Sequence, residues 1–274
     1  MKILSIILLA SIFSFTVVRI SHNASSVTEN AKQELLQYKQ KYALSCGNST
    51  SNFSFADYNF FAPIFQARDN YRLPGALPEE EYNTLWIPDT LSGTTFNLRI
   101  HDTAKQYIGT GPSTKMLSFN NSATLGPTLI FKKGTTVQMN VKNDLAEETT
   151  VHWHGIHLPA VMDGGPHQPV PAGTTWRPTW TVNNNAATYW YHPHLHMKTA
   201  EQIAKGLSGL IIIRDEIESA LKLPRTYGVD DIPLILNDKR LKSNNQIEVV
   251  PYGDTMLANG VLHAQFNVPA QVVR

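Results

Sequence analysis

The chain has 274 residues, 42% of them hydrophobic and 16% charged, with 23 basic against 22 acidic side chains. That length and apolar share suffice for a substantial buried core, as one large β domain or one domain plus part of another. The near-neutral balance gives no sign of the basic excess of a nucleic-acid binder, so no nucleic-acid partner is expected.

The chain opens with Met1-Lys2 and a mostly apolar run from Ile3 to Val18, the charged start and greasy middle of a secretory signal. A secreted or periplasmic location follows. An uncleaved membrane anchor is the alternative, because Arg19 sits behind the run and no small-x-small cleavage site follows; a full span, however, usually takes ~20 residues. Residues 1–20 are thus a signal or anchor, and residues 21–84 an N-terminal extension. In the extension Ala31, Leu35, Tyr38 and Tyr42 recur at helical spacing behind Thr28, a candidate N-cap, which predicts a short amphipathic helix. Ser45 to Ser54 is polar and turn-prone. Asn23, Asn48, Asn52 and Asn120 each begin a glycosylation sequon, usable only in a glycosylating host. Cys46 is the one cysteine, so no disulfide forms within the chain, and no neighbouring His or Cys gives it a metal.

Residues 85–216 carry short β-rich runs broken by Gly, Pro and Asn: Thr95–Ile100, Thr128–Phe131, Thr135–Val141, Thr149–His154, Thr175–Val182, Thr188–His192 and Gly209–Arg214. Such spacing predicts an all-β sandwich. Thr199-Ala-Glu-Gln202, ahead of Ile203 and Leu207, reads as a capping box and places a short helix between the last two strands. Residues 217–230 are polar and charged, a linker. Ile232–Leu236 and Gln246–Val250 then open a second strand set, and residues 231–274 are expected to be the incomplete start of a second domain, since even ~60 residues make a marginal core.

Seven of the ten histidines lie between residues 152 and 196. On a strand, residues two apart share a face, so His152 and His154 project together while Trp153 points away, and His192 pairs with His194 in the same way. Two such pairs on neighbouring strands would aim four imidazoles into one space. Spacing alone leaves zinc, copper, iron and nickel open, although no H-E-x-x-H signature is present.

The run Thr149-Thr-Val-His-Trp-His-Gly-Ile-His-Leu-Pro159 resembles the T-x-V-H-W-H-G element of multicopper oxidases. Gly126-Pro-Thr-Leu129, Lys133-Gly134, Asp163-Gly-Gly-Pro166, Trp190-Tyr-His-Pro-His194 and Gly206-Leu-Ser-Gly-Leu210 occur in the family's order around it. Asp231-Ile-Pro-Leu-Ile-Leu236 and Gly253-Asp-Thr-Met-Leu-Ala-Asn-Gly260 resemble the opening of the family's second domain. The wording is most similar to the copper-efflux-oxidase, spore-coat-laccase and bilirubin-oxidase branch. The resemblance implies a cupredoxin-like Greek-key β-sandwich over residues 85–216 and the start of another after residue 231.

It also implies roles. His152 would bind the type 2 copper, and His154, His192 and His194 the type 3 pair, which is half of a trinuclear cluster. Asp163 stands where this branch has an acid that assists protonation of reduced oxygen; the plainer reading is that it begins the Asp-Gly-Gly turn. His157, His167 and His196 fall outside the ligand set. The implied partners are dioxygen and a reducing substrate, a phenol or cuprous ion. The family's H-x-x-H-x-H and H-C-H elements, with the type 1 copper cysteine, do not occur in these residues. The 274 residues alone are therefore expected to be inactive, with a C-terminal domain or another chain needed to complete the cluster. Two alternatives stand beside the oxidase: a non-catalytic cupredoxin-like protein, similar to copper-free cell-division relatives that have lost cluster histidines, and a mononuclear metal binder.

Overall fold

The computed structural model describes residues 2–7, 17–22, 82–120, 122, 124–268 and 273–274. The Thr28–Tyr42 helix, Cys46 and the first three sequons lie outside these. In chain order the first strands are β1 (Lys2–Ile7), β2 (Val17–His22), β3 (Asn83–Thr84), β4 (Thr90–Ser92), β5 (Thr95–Lys105), β6 (Thr114–Phe119), β7 (Thr128–Lys132), β8 (Thr136–Asn143) and β9 (His152–His154). There follow β10 (Thr175–Trp176), β11 (Thr179–Thr181), β12 (Ala187–His192), helix α1 (Thr199–Ala204), β13 (Gly209–Arg214) and helix α2 (Glu216–Ala220). The last are β14 (Leu236–Leu241), β15 (Ile247–Glu248), β16 (Thr255–Ala258), β17 (Val261–Leu262) and β18 (Ala264–Val268).

Two five-stranded sheets form the sandwich, one ordered β10-β8-β5-β6 with β11 also on β8, the other β4-β7-β13-β12-β9. Parallel pairs (β5 with β8, β7 with β13) sit among antiparallel ones, so the chain crosses between sheets as a cupredoxin-like fold requires. Alternation makes the core: Phe96, Leu98 and Ile100 of β5 and Val137, Met139 and Val141 of β8 turn inward against Leu129, Phe131, Trp153, Tyr191, Ile211 and Ile213 of the other sheet. All are essentially inaccessible, and each such side chain contributes roughly 1.5–3 kcal/mol of burial. Tyr191 donates to the Pro127 carbonyl at 2.8 Å, and its ring fills space that a Cβ on Gly126 or Gly209 would occupy, at 2.1 and 2.4 Å. The two glycines quoted from the sequence motifs therefore make room for one buried tyrosine.

The expected Thr175–Val182 strand is two, β10 and β11, because Pro178 between them has no N–H to donate. Helix α1 forms where expected, but its capping box does not: Lys198 is the N-cap without a side-chain bond, and Thr199 Oγ1 donates back to Leu195 O at 2.9 Å. A side-chain cap exists instead at α2, which runs into the segment read as a linker, where Asp215 accepts from the Glu218 N–H at 2.7 Å. Asn120 spends its side chain locally, accepting from Arg99 N and donating to Asn97 O, at 2.8 and 3.1 Å.

Glu218, almost fully buried, ties this joint together. Its Oε1 takes Arg214 at 3.0 Å and Arg274 at 2.6 Å, and also Arg225, while Arg214 reaches Asp231 at 2.6 Å. Burial pushes the Glu218 carboxyl up, but Arg274, Arg225 and Arg214 more than offset it and hold it below the usual range.

After the joint, β15-β14-β16-β17 form a four-stranded sheet, and β18 joins β2 and β3 in another. Of residues 1–20, read as a signal or anchor, Lys2–Ile7 form β1 and residues 17–20 part of β2, as β-branched apolar residues favour extended backbone. A small core of Leu85, Ala258 and Ala264, with Ile87, Ile232, Leu236, Val261 and Phe266, serves this part. It is bonded to the sandwich: Thr114 Oγ1 donates to Asn245 O at 2.6 Å, and Lys105 Nζ to Gly260 O at 2.9 Å. Among the described residues no helix is long and apolar enough to cross a membrane.

Candidate metal centre

The histidines sit on the outer face of the second sheet, where β9 and β12 run antiparallel with His152 opposite His192, Trp153 opposite Tyr191 and His154 opposite Trp190. The pleat therefore sends Trp153 and Tyr191 into the core and His152, His154, His192 and Trp190 to the other side. His152, His154 and His192 each offer a ring nitrogen within 4.8 Å of the others. His194 lies just past β12, its ring 5.3 Å from His152 and 6.0 Å from His192, centre to centre. It is exposed, and its nitrogen falls outside that three-residue group.

Two rings are aimed by hydrogen bonds at Nδ1, which turn Nε2 towards the cluster. His192 Nδ1 lies 2.8 Å from Pro193 O, and His152 Nδ1 lies 2.9 Å from Asp163 O. A carbonyl only accepts, so both Nδ1 atoms carry the proton. Trp190 stacks on His192 with ring centres 4.0 Å apart and planes 24° from parallel. Burial lowers the His192 proton affinity to about 4, with repulsion from His152, His154 and His194 acting the same way, which keeps this imidazole neutral and able to ligate.

The Asp163 carboxylate is also near, Oδ1 lying 3.3 Å from His152 Nδ1, so both the turn residue and the acid face the cluster. What orients the loop is Gly164: with φ of +71°, it lies so close to the strand that a Cβ would fall 1.8 Å from Val151 O. Of the other histidines, His157 uses its N–H on Asn184 Oδ1 at 2.7 Å, and its ring, like those of His167 and His196, is exposed. Sequence reasoning missed Trp190, Pro193 and Gly164 as parts of the site. Trp190 was signalled by its position two before His192 and Gly164 by the Asp-Gly-Gly turn.

The donor set fits a transition metal. His154 Nδ1 and His192 Nε2 are 3.1 Å apart. Two nitrogens sharing one ion at about 2.0–2.1 Å, at a tetrahedral or square angle, stand about 2.9–3.4 Å apart. Neutral imidazoles with no carboxylate ligand suit zinc, copper, iron or nickel rather than magnesium or calcium.

Fold and site together define a cupredoxin-like domain that presents a histidine cluster on one outer sheet face. Residues 102–218 match the family model described as multicopper oxidase. The chain is 38% identical over 160 residues to multicopper oxidase mco of Staphylococcus epidermidis, an alignment covering 56% of this chain and 35% of that protein. To the cell division protein FtsP of Escherichia coli it is 37% identical over 147 residues, covering 52% and 31%. Among solved structures, the multi-copper oxidase from Pediococcus acidilactici superposes with a TM-score of 0.64 at 34% identity, covering 73% of this chain and 45% of that one. McoA multicopper oxidase from Aquifex aeolicus gives 0.62 at 35% identity, covering 67% and 43%. The chain thus spans about a third of the length of the curated relatives it matches.

Proposed function

We propose that this chain supplies half of the ligands of a trinuclear copper cluster in a copper-dependent oxidase, which couples one-electron oxidation of a reducing substrate, a phenol or cuprous ion, to reduction of dioxygen to water. The observation that carries the reading is the convergence of His152, His154 and His192 from two paired strands, with a 3.1 Å approach of two ring nitrogens. His152 is assigned to the type 2 copper, and His154, His192 and His194 to the type 3 pair. Bound copper would accept the substrate's electrons and deliver them to dioxygen.

The chain's own groups would do the rest. Asp163 fixes His152 through its carbonyl, and its carboxylate would hold a proton at Oδ1 for delivery towards reduced oxygen. Trp190 walls one side of His192 and restricts water there. The apolar run after Met1 supports export, to the periplasm or outside, or an anchor in the membrane. The complementary histidines and the type 1 site would come from a C-terminal domain or another chain.

Anaerobic titration of the 274-residue chain with copper, read by metal analysis and electron paramagnetic resonance, tests this. Binding should be lost in His152→Ala, His154→Ala and His192→Ala, and oxygen consumption should appear when the complementary histidine elements are supplied. The nearly equal identity to FtsP supports a second reading, a non-catalytic cupredoxin-like protein. A wild-type chain that binds no copper would select it.

A further inference from the structure

We propose that Thr150 is the positioning residue that brings His194 into the metal-binding set, its hydroxyl accepting the His194 N–H just beyond the end of the strand ladder. The inference rests on reading the cluster as a metal site and adds a residue to it. His152 stands opposite His192 at the end of the β9–β12 ladder. Carrying that register two residues further puts Thr150 opposite His194, and the period of two puts Thr150 on the same face as His152 and His154. The paired residues of the ladder end with His152 and His192.

At this point a side chain takes over. Thr150 is fully buried, and its Oγ1 accepts from the His194 N–H at 2.5 Å. The segment carrying it is clamped from α1. Thr149 Oγ1 donates to Gln202 Oε1 at 2.8 Å, and Gln202 Nε2 donates to Glu148 O at 3.2 Å, with both Thr149 and Gln202 fully buried. On its other side His194 is followed by buried Leu195, whose carbonyl accepts from Lys198 N and Thr199 N, both at 3.1 Å. The exposed ring of His194 thus stands on a backbone pinned from two directions, although it lies beyond the two strands whose pleat aims the other three.

Thr150→Val keeps the side chain's shape and removes the hydroxyl; Thr150→Ser keeps the hydroxyl. In the 274-residue chain titrated with Cu(II), Thr150→Val should bind about 10–100-fold more weakly and show one coordinating nitrogen fewer, the usual scale for a partner that orients a ligand. Thr150→Ser should stay near wild type. Hydrogen exchange of the His194 amide should accelerate at least about tenfold in the Val variant, the scale of losing one modest hydrogen bond. In a His194→Ala background, Thr150→Val should cost no further copper affinity. Wild-type affinity and nitrogen count in Thr150→Val would overturn this inference alone, whereas a wild-type chain that binds no Cu(II) would overturn the metal reading itself. A His194 amide that exchanges freely in the wild type would also overturn it, whether or not the variants fold.

Discussion

The two faces of the β9–β12 pair use the same backbone for opposite ends. Inward, Trp153 and Tyr191 are fully buried, and Trp153 lies 5.3 Å from Trp180 and 6.1 Å from Tyr191, ring to ring. Outward, one residue along each strand, the rings are imidazoles whose nitrogens lie within 4.8 Å of one another. A stable inner face is what lets the outer face hold like groups together: the strands are pinned by their core side chains, and the histidines inherit the spacing. Fold and chemistry are thereby separable by a shift of one residue.

Substitutions should expose that separation. Trp153→Ala, on the inner face, should cost about 3–5 kcal/mol in urea unfolding and lose copper only because the sandwich loosens. Gly164→Ala should cost on the order of 2–3 kcal/mol, because its Cβ would strike Val151 O in a left-handed backbone; it should also weaken copper binding as the Asp163 carbonyl leaves His152. Effects of equal size on both readouts would mark the Asp-Gly-Gly turn as the link between the faces.

Smaller still is the pH dependence of the outer face. The unfolded chain protonates His192 near its ordinary value of 6.5, the folded chain near 4, so stability from this residue is intact above pH 6.5 and falls away between 6.5 and 4. Unfolding measured across that window should show a slope that His192→Asn flattens. His154→Ala should shift stability by less than about 0.5 kcal/mol, as expected of an exposed side chain, yet abolish tight copper binding. A large stability loss in that variant would show that the outer face is structural after all.

Much of this was legible in the chain. Strands such as β5 show alternation because one face meets the core and the other water, and the two His-x-His pairs inherit the same period. β6 was missed because Met116, Leu117 and Phe119 are all buried, its second side being covered by the Asn245–Gln246 loop some 130 residues away, so no alternation survives. β4, three residues long, carries no period to detect. In the site, the histidines announced themselves, but which strands are neighbours is a matter of register between residues 40 apart. The proton on His152 Nδ1 is fixed by a backbone carbonyl, and a carbonyl leaves no trace in residue identity. The Asp215 cap was written plainly as Asp followed three residues later by Glu, and was overshadowed by the similar pattern at Thr199.

Three arginines around one carboxylate make the joint at Glu218 a bracket and not a hinge: the sheet carrying β14 should swing with the sandwich as one body. Its weak point is chemical. The carboxylate's contribution is present above its ordinary value of 4.5 and is lost as pH falls through its lowered value in the fold. Acid would leave the three arginines facing a neutral group and one another, so the bracket would loosen by discharge of a single side chain while the bonds of Thr114 and Lys105 still hold the two parts together.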